Sequence, residues 1–395
     1  MRLTSLTLNR YRNLEPQTLK PGPLQNILAG SNAQGKTNLL EAIYVCCVGR
    51  SHQTVRDREL IRWGEETASV SLDCARRDGI HRIEVGLTLS GRKTIRINGS
   101  PIHRIGDLMG HINAVIFTPA ELSLVRDGPS CRRRFLNMSL SQIRPDYFLW
   151  LQRYHQALSQ RNALLRAPEG GVLATLPVWD AQLARAGARL TADRRDFCAR
   201  LAVHASEIHA ELAGGESFTV SYSAAAEADD TERLEAALLA LLINNRENDV
   251  RRGITTAGPH RDDIVLRIDG ADARVYGSQG QKRTCALSMK LAEREIMREE
   301  TGEEPLLLLD DVFSELDGER RRMLLGFIGG TQTFITCVSA EQEGLPRQED
   351  ALVCDVIAGR IRPRGRYRAE PGERETGSDD IFTDEPEPSD APRQT

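Results

Sequence analysis

A phosphate-binding loop is the clearest chemical feature of the sequence. It has the pattern Gly, four residues, Gly-Lys-Thr, and consists of Gly30, Ser31, Asn32, Ala33, Gln34, Gly35, Lys36 and Thr37, with Asn38 extending the segment. In such a loop backbone N–H groups contact phosphate oxygens, the lysine reaches the β- and γ-phosphates, and the hydroxyl binds magnesium. We therefore predict a site for ATP and Mg²⁺, with Lys36 in a catalytic role and Thr37 as a metal ligand.

Two carboxylates at the end of an apolar run predict the rest of the metal site. Leu306 to Leu309 are four consecutive leucines, and Asp310 and Asp311 follow them. An all-apolar run of this length is typical of a buried central strand. Beside a phosphate-binding loop, Asp310 is then a metal ligand and Asp311 a catalytic residue that orients or deprotonates the attacking water. The alternative is that both carboxylates only cap the strand.

A third segment lies about 240 residues after the loop. Ser278, Gln279, Gly280 and Gln281 precede a helical stretch that begins near Lys282. The start of a helix exposes free N–H groups and the positive end of the helix dipole, which suits an anion. On their own these four residues indicate an anion site only weakly, and their contact with the nucleotide is what the family resemblance described below implies.

The surrounding elements must place these residues. Asn26 to Ala29 predict a strand and Asn38 to Val45 a helix, so the loop lies between strand and helix. Further strands are predicted by Leu3 to Leu8, Ile83 to Leu89 and Thr94 to Ile97.

The pattern becomes helical after about residue 120. Phe148 to Arg166 form one predicted helix, and a second begins near Asp180 after a Pro- and Gly-rich break at Pro168 to Pro177. The second helix has near-heptad spacing over about 30 residues. We expect the two helices to pack antiparallel as a short arm.

The segments together resemble a known family. Ser278 to Gln281 followed by the leucine strand is similar to the signature motif and strand of ABC-type ATPases. The resemblance narrows to the RecF family of bacterial recombination-repair ATPases, on motifs that run in order over residues 1 to about 360. These motifs are Tyr11-Arg12-Asn13-Leu14, Phe117-Thr118-Pro119, Asp127 to Asn137, Gln160-Arg161-Asn162, Gly258 to Asp263 and Leu308 to Leu316.

The resemblance implies an α/β fold: an ABC-type ATPase head with a P-loop sheet core, an antiparallel sheet and an inserted helical second lobe. On this basis residues 1–120 are the first part of the ATPase lobe and residues 121–250 the helical lobe with its arm. Residues 251–362 complete the core, and 363–395 form an acidic disordered tail. SMC proteins have a similar head but much longer arms.

The resemblance also implies function. Ser278 of one subunit would complete the ATP site of another, so that ATP drives a homodimer that holds DNA and slow hydrolysis releases it. The implied partners are single- and double-stranded DNA and their junctions, RecR and RecO, and indirectly RecA, which is loaded on strands coated by SSB. Two alternatives stay open: an SMC-like structural organiser of DNA, and an ABC-type or kinase-type ATPase with a different substrate.

Charge and cysteine content bound the cellular setting. The chain has a net charge of −4, and because residues 369–395 carry −7, the rest carries about +3. The tail composition predicts disorder, with either an autoinhibitory or a merely solubilising role. The eight cysteines show no C-x-x-C spacing and are expected to be reduced core residues. No apolar stretch is long enough to span a bilayer, so we expect a cytoplasmic protein without a membrane partner.

Several positions leave their roles open. Arg132, Arg133 and Arg134 begin a predicted helix, where cations need a compensating anion, either DNA phosphate or acidic groups of the fold. Gln53 stands where the family usually has an arginine, with Arg56 as a substitute. ABC-type ATPases often have a switch histidine after the last core strand, where Thr336 is the nearest polar residue. His260 and Arg261 could touch nucleotide, DNA or only the core.

Overall fold

The computed structural model describes residues 1–166, 174–340 and 351–366. The acidic tail was predicted at residues 363–395; residues 363–366 are instead part of a strand, and the rest of the predicted tail lies outside the described residues. The first part of the predicted break, up to residue 173, also lies outside them.

Fifteen strands and ten helices are assigned within this part of the chain. The strands are β1 Arg2–Asn9, β2 Gln17–Leu19, β3 Gln25–Ala29, β4 Thr67–Arg76, β5 Gly79–Thr88, β6 Lys93–Ile97, β7 Ser100–Ile102, β8 Ala114–Phe117, β9 Phe218–Ser223, β10 Asp263–Ile268, β11 Ala271–Asp272, β12 Leu306–Asp310, β13 Thr333–Cys337, β14 Leu352–Ile357 and β15 Arg360–Arg366. The helices are α1 Lys36–Val48, α2 Ser123–Arg126, α3 Pro129–Ile143, α4 Pro145–Arg166, α5 Leu176–Ala213, α6 Thr231–Asn244, α7 Arg246–Arg252, α8 Ala273–Tyr276, α9 Gln279–Thr301 and α10 Gly318–Phe327.

The central sheet has the strand order β15-β14-β3-β13-β12-β8. Its five strands from β14 to β8 are parallel, and β15 pairs antiparallel with β14 at the edge. Leu306 and Leu308 of β12 pack into one hydrophobic core, while Leu307 and Leu309 pack into another on the opposite face. Both faces of the strand are covered, which explains why the leucine run does not alternate with polar residues.

The first core lies between the central sheet and an antiparallel sheet of order β2-β1-β4-β5-β6-β7. Helix α1 fills the space between the sheets, and nearly all its residues are buried. The strand predictions at Leu3–Leu8, Ile83–Leu89 and Thr94–Ile97 are confirmed by β1, β5 and β6. This layer carries the phosphate-binding loop, because the loop joins β3 to α1.

The second core is helical. The side chain of Tyr147 in α4 meets Arg194 of α5, and Arg161 of α4 meets Asp180 of α5. Residues further along α4 thus contact residues earlier in α5. The two helices run in opposite directions, which confirms the predicted antiparallel pair. The later half of α5 continues along α9, where His209 faces Ser288 and Arg200 binds Glu299. The paired helices are therefore anchored to the helix that follows the Ser278 segment.

A small sheet joins the helical part to the end of the core. Strand β10 pairs antiparallel with β9 on one side and with β11 on the other. Strand β9 falls before the predicted boundary at residue 250, and β10 falls after it. The domain boundaries stay a prediction, and this pairing ties the two segments together.

Candidate nucleotide site

The phosphate-binding loop starts where β3 ends, and its last two residues begin α1. Gly35, the residue before the helix, has φ of +110°, and a Cβ there would lie 2.7 Å from the side-chain oxygen of Asn13. A larger residue would be strained at this φ and would also collide with a neighbour. The loop therefore requires glycine at this position for two separate reasons.

The Lys36 ammonium lies against the loop that it follows. It donates hydrogen bonds to the carbonyl oxygens of Gly30 and of Ser31, the latter at 3.1 Å. Lys36 is 8% exposed, so its charge is held at the loop rather than in bulk solvent. This places a cation beside the backbone N–H groups at the start of α1, where anions are favoured.

The loop is enclosed by segments that are distant in the sequence. Asn13 donates through Nδ2 to the carbonyl of Ala33 at 3.1 Å and accepts from Asn38 at 2.8 Å. On another side, Gln34 accepts from the backbone N–H of Gly359, between β14 and β15, at 3.0 Å. No predicted site motif included Asn13 or Gly359. Asn13 does belong to the Tyr11–Leu14 motif, which was the available sign of its importance.

Thr37 and Asp310 meet at the foot of the loop. Thr37 donates through Oγ1 to Oδ1 of Asp310 at 2.8 Å, and Thr336 donates to the same oxygen at 2.8 Å. Burial raises the pKa of Asp310 above its ordinary value, and the two hydroxyl hydrogen bonds oppose that rise. Thr336, the polar residue nearest to the position where ABC-type ATPases often have a switch histidine, thus belongs to this cluster.

Asp311 continues the cluster with an unusual backbone. Its φ is +53°, in the left-handed region that residues with a side chain seldom adopt, and its N–H donates to Oγ1 of Thr336 at 2.9 Å. Asp311, Asp310, Thr336 and the residues from Asn32 to Asn38 line one cavity of about 240 Å³. Within one chain, the structure therefore brings the predicted loop residues together with both carboxylates.

The donor set at this cavity fits Mg²⁺. The ion prefers oxygen ligands and is usually held by one or two carboxylates together with phosphate oxygens and water. The Thr37 hydroxyl and the Asp310 carboxylate supply such oxygens next to the loop. Among the described residues no group of three or more His, Cys, Asp or Glu side chains could hold a metal.

A larger cavity of about 490 Å³ continues from Thr37 and Asp310 between the two cores. It is lined by Gln53 and by an ion pair in which Lys290 lies 2.5 Å from Glu293. Burial alone would lower the pKa of Lys290, but Glu293 and Glu121 outweigh it and raise the pKa. The cavity keeps a buried charge pair beside the predicted metal site.

His52 is a further lining residue of this cavity that no motif predicted. Burial lowers its pKa to about 4, and neither ring nitrogen has a hydrogen-bond partner among the residues that the structure describes. Arg56 lies outside both cavities and is 3.9 Å from Glu59. Of the two residues considered for phosphate contact, only Gln53 therefore lines a cavity beside the loop.

An arginine does lie next to α1. Arg12 binds both carboxylate oxygens of Glu41 in α1, at 2.9 and 2.8 Å, and Ser51 donates to the same carboxylate at 2.5 Å. Glu41 is fully buried, and a buried carboxylate requires hydrogen-bond partners of this kind. The hydrogen bonds that Arg12 donates to Glu41 raise the pKa of Arg12. This network fixes the far side of the loop helix.

The Ser278 segment occupies a different place. Ser278 caps α9: its hydroxyl accepts from the N–H of Gln281 at 3.2 Å, and its own N–H donates to the Gln281 side chain at 2.9 Å. Ser278 and Gln279 are exposed, and none of the four segment residues lines either cavity at the loop. Within a single chain they are thus not brought to the predicted nucleotide.

The three consecutive arginines at the start of α3 differ in their burial and in their hydrogen-bond partners. Arg132 binds both oxygens of Asp263, at 2.7 and 2.9 Å, and is almost fully buried. Arg133 donates to the carbonyl of Asp262 at 2.9 Å. For Arg132 the compensating anion is therefore an acidic group of the fold.

His260 also belongs to the core. Its Nδ1 lies 2.6 Å from the Tyr154 hydroxyl and its Nε2 lies 3.0 Å from the carbonyl oxygen of Thr255. Burial lowers its pKa to about 4. Arg261 approaches the same carbonyl at 3.4 Å. These contacts give the pair a structural role.

Sequence comparison extends over most of the chain. Residues 2–353 match the family model described as RecF/RecN/SMC N terminal domain. The DNA replication and repair protein RecF of Acetivibrio thermocellus is 40% identical over 366 residues, which cover 91% of this chain and 99% of that protein. The protein of the same name from Halothermothrix orenii is 42% identical over 346 residues, covering 85% and 92%.

Solved structures agree with these matches. A structure described as the recombination mediator protein RecF-ATP in the RecFOR pathway has a TM-score of 0.84 and 36% identity, and covers 92% of this chain and 98% of that chain. An SMC head domain from Pyrococcus furiosus has a TM-score of 0.54 at 15% identity, covers 92% and 95%, and shares the fold alone. The predicted α/β fold of an ABC-type ATPase head is confirmed.

Proposed function

The chain belongs to the RecF family, and from this premise we propose that it is an ATP-dependent DNA-binding protein of recombinational repair. The observation that carries the proposal is the meeting of Lys36, Thr37, Asp310 and Asp311 at one cavity. In a family whose solved relative is described with ATP, this arrangement supports ATP as the ligand.

Each group at the cavity has a role in the proposal. Lys36 and the loop N–H groups bind the β- and γ-phosphates, and Thr37 and Asp310 hold Mg²⁺. The metal ion would neutralise charge on the phosphate oxygens. Asp311 orients the attacking water, and its carboxylate is one methylene shorter than the glutamate of transporter ATPases. We expect slow hydrolysis that resets a switch, and a turnover of hundreds per second would contradict this.

A second copy of the chain would complete the site. Ser278 to Gln281 expose the positive end of α9, and the exposed apolar residues Val275 and Tyr276 precede them, 63% and 75% accessible. Large exposed apolar side chains beside a polar anion-binding element are typical of an interface. We propose that this surface meets the γ-phosphate bound by the partner, so that ATP drives a homodimer.

The dimer would act in a repair pathway. A relative named as a recombination mediator in the RecFOR pathway supports RecO and RecR as partners, with RecA loading at gaps and single- to double-strand junctions as the outcome. Among the described residues no helix has the length and apolar character needed to cross a membrane. None of the eight cysteines forms a disulfide within the described residues, and we propose a cytoplasmic location.

The two alternatives are less well supported. An SMC-like organiser depends on long coiled-coil arms, whereas the antiparallel pair here is limited to α4 and part of α5. An ATPase with a small-molecule substrate would need its own substrate pocket, and the charged groups in the wall of the larger cavity at the loop include Lys290 and Glu293, which already pair with each other.

The deciding experiment measures DNA binding with and without ATP and Mg²⁺. Fluorescence anisotropy of a labelled DNA with a single- to double-strand junction should show binding that ATP strengthens at least roughly tenfold, with affinity falling steeply as salt rises because phosphate contacts release counterions. The Lys36→Ala variant with ATP should behave as the unmodified chain does without it. Salt-independent binding, or none with ATP, would favour the small-molecule ATPase.

A further inference from the structure

A second open cleft adjoins the nucleotide cavities, where the end of α1 faces the first turns of α3 and the first half of α4. Its volume is about 500 Å³. Its polar lining consists of Arg50, Ser130, Arg133, Arg134, Asn137, Ser141, Gln152 and His155. Its apolar lining includes Met109, Met138, Phe148 and Leu151.

The charge of this cleft is one-sided. The chain contains 56 Asp and Glu residues and has a net charge of −4, yet among the described residues no carboxylate lines the cleft. Arg50 and Arg134 are exposed. Neither has a hydrogen bond or an ion pair with the described part of the chain, and Arg133 uses one nitrogen for the carbonyl of Asp262. Three like charges in a cleft that no carboxylate lines repel one another, so the cleft favours an anionic ligand.

The neighbouring arginine shows that the fold can compensate such a charge. Arg132 lies in the same turn of α3 and is neutralised by both oxygens of Asp263. Arg134, two residues later, points to a cleft with no such carboxylate. The first arginine therefore serves the fold, and the third remains available to a ligand.

The chemistry of the lining selects the kind of anion. Guanidinium groups bind phosphate oxygens in pairs and stack on planar rings, and Ser130 places the N-terminal turn of α3 at the same cleft. The apolar side chains offer a surface for sugar and base faces. The cleft is open to solvent, as a polymer that passes through it requires.

We propose that this cleft binds the phosphodiester backbone of DNA, through Arg50, Arg133 and Arg134. The inference rests on the proposed function and gives it a location. Arg134 and Met138 line both this cleft and the cavity that contains Thr37 and Asp310. DNA in the cleft would therefore lie one side chain away from the nucleotide cavity.

The test uses the full chain with ATP and Mg²⁺ and two double variants with the same change in charge. The cleft variant combines Arg50→Gln with Gln152→Glu, an isosteric change on the exposed face of α4. The control combines Arg96→Gln on β6 with Gln160→Glu two turns further along α4, and all four residues are exposed. Anisotropy of a labelled duplex is measured over a series of salt concentrations.

We expect the cleft variant to lose affinity roughly tenfold to 100-fold near 0.1 M salt, with the slope of log K against log salt reduced by about 1. The control should match the unmodified chain. Thermal melting and ATP affinity, which should be unchanged in both variants, separate a lost contact from a lost fold.

Other outcomes overturn different statements. If the unmodified chain shows no ATP-dependent DNA binding, the proposed function itself fails. If it binds DNA but both double variants lose equal affinity, or neither loses any, the cleft is not the DNA site. If the cleft variant keeps DNA but loses binding of labelled polyglutamate, the ligand is an acidic peptide and the inference is wrong.

Discussion

Two helix N-termini in this chain are suited to an anion, and they differ in what surrounds them. At the start of α1, Asn13 and Gly359 close on the loop, and Lys36 and Asp310 lie beside it. At the start of α9, Ser278 caps the helix but stays exposed, and exposed Val275 precedes it.

The difference shows how far one chain can build the site. The α1 end already has its enclosing contacts, a cation and carboxylates, so its specificity is fixed within the chain. The α9 end lacks such enclosure among the described residues, since Ser278 and Gln279 stay exposed, and a helix dipole alone binds an anion weakly. Its exposed apolar flank is the part that a second copy could bury.

The largest expected effect comes from a substitution at the exposed α9 end. Ser278→Arg should abolish the ATP-dependent dimer, raising its dissociation constant by about 100-fold or more, because a central interface position would receive a bulky and uncompensated group. Monomer affinity for ATP should stay nearly unchanged. Sedimentation velocity with ATP and Mg²⁺ measures the dimer. Asp230→Arg, which removes the N-cap of α6, controls for the lost cap; a dimer unaffected by Ser278→Arg would contradict the composite site.

The next largest effect comes from a substitution at the enclosed α1 end. Lys36→Ala should weaken ATP binding by roughly tenfold to 100-fold, since a charged hydrogen bond to phosphate contributes about 1.5–3 kcal/mol. Isothermal calorimetry on the monomer measures it. Lys20→Ala, at an exposed lysine of the same lobe, should leave affinity unchanged. Equal affinity in both variants would show that Lys36 does not reach the nucleotide.

Matched glycine substitutions sharpen the comparison. Gly35→Ala should destabilise the chain by about 1–3 kcal/mol because of its positive φ and the contact with Asn13. Gly280→Ala, in the first turn of α9 with only Ser278 within 4 Å of the added carbon, should stabilise by roughly 0.5–1 kcal/mol, as alanine does inside a helix. Thermal unfolding without nucleotide gives both values. Changes of the same sign would remove the distinction between the two helix ends.

The smallest expected effect is on the loss of folding stability at acidic pH. The folded pKa of His52 is lowered to about 4, below the ordinary value near 6.5, so between these values the unfolded chain binds more protons and stability falls as the pH decreases. His52→Gln should reduce this loss by about 1–2 kcal/mol between pH 6.5 and 4. His103→Gln, at an exposed position, serves as control. Urea unfolding at a series of pH values measures it, and identical pH curves for His52→Gln and the unmodified chain would contradict a buried neutral imidazole.

Much of the site was predictable because its signals are local. The loop pattern, the leucine run and the capping sequence at Ser278 each specify their element through neighbouring residues. The structure accordingly has β3 and α1 around the loop, β12 at the leucines and α9 directly after Ser278.

Other parts depend on pairings between distant residues. Nothing near Arg132 predicts that it binds Asp263, 131 positions away, while Arg134 stays exposed. The enclosure of the loop by Asn13 and Gly359 is of the same kind. The gap between Thr37 and Ser278 is predicted to contain an inserted helical lobe, but only the fold shows that α5 packs along α9.

The sequence by itself determined the family, the fold class and the identity of the phosphate-binding loop, because spacing and local polarity specify which strand, loop and helix form. Only the tertiary structure decided which charges are neutralised inside the chain and which remain free. That decision depends on the packing of α3 against β10 and of the two cores against the central sheet, since a buried charge needs a partner within a few ångströms. The same packing leaves the cleft around Arg50 and Arg134 without a carboxylate in its lining.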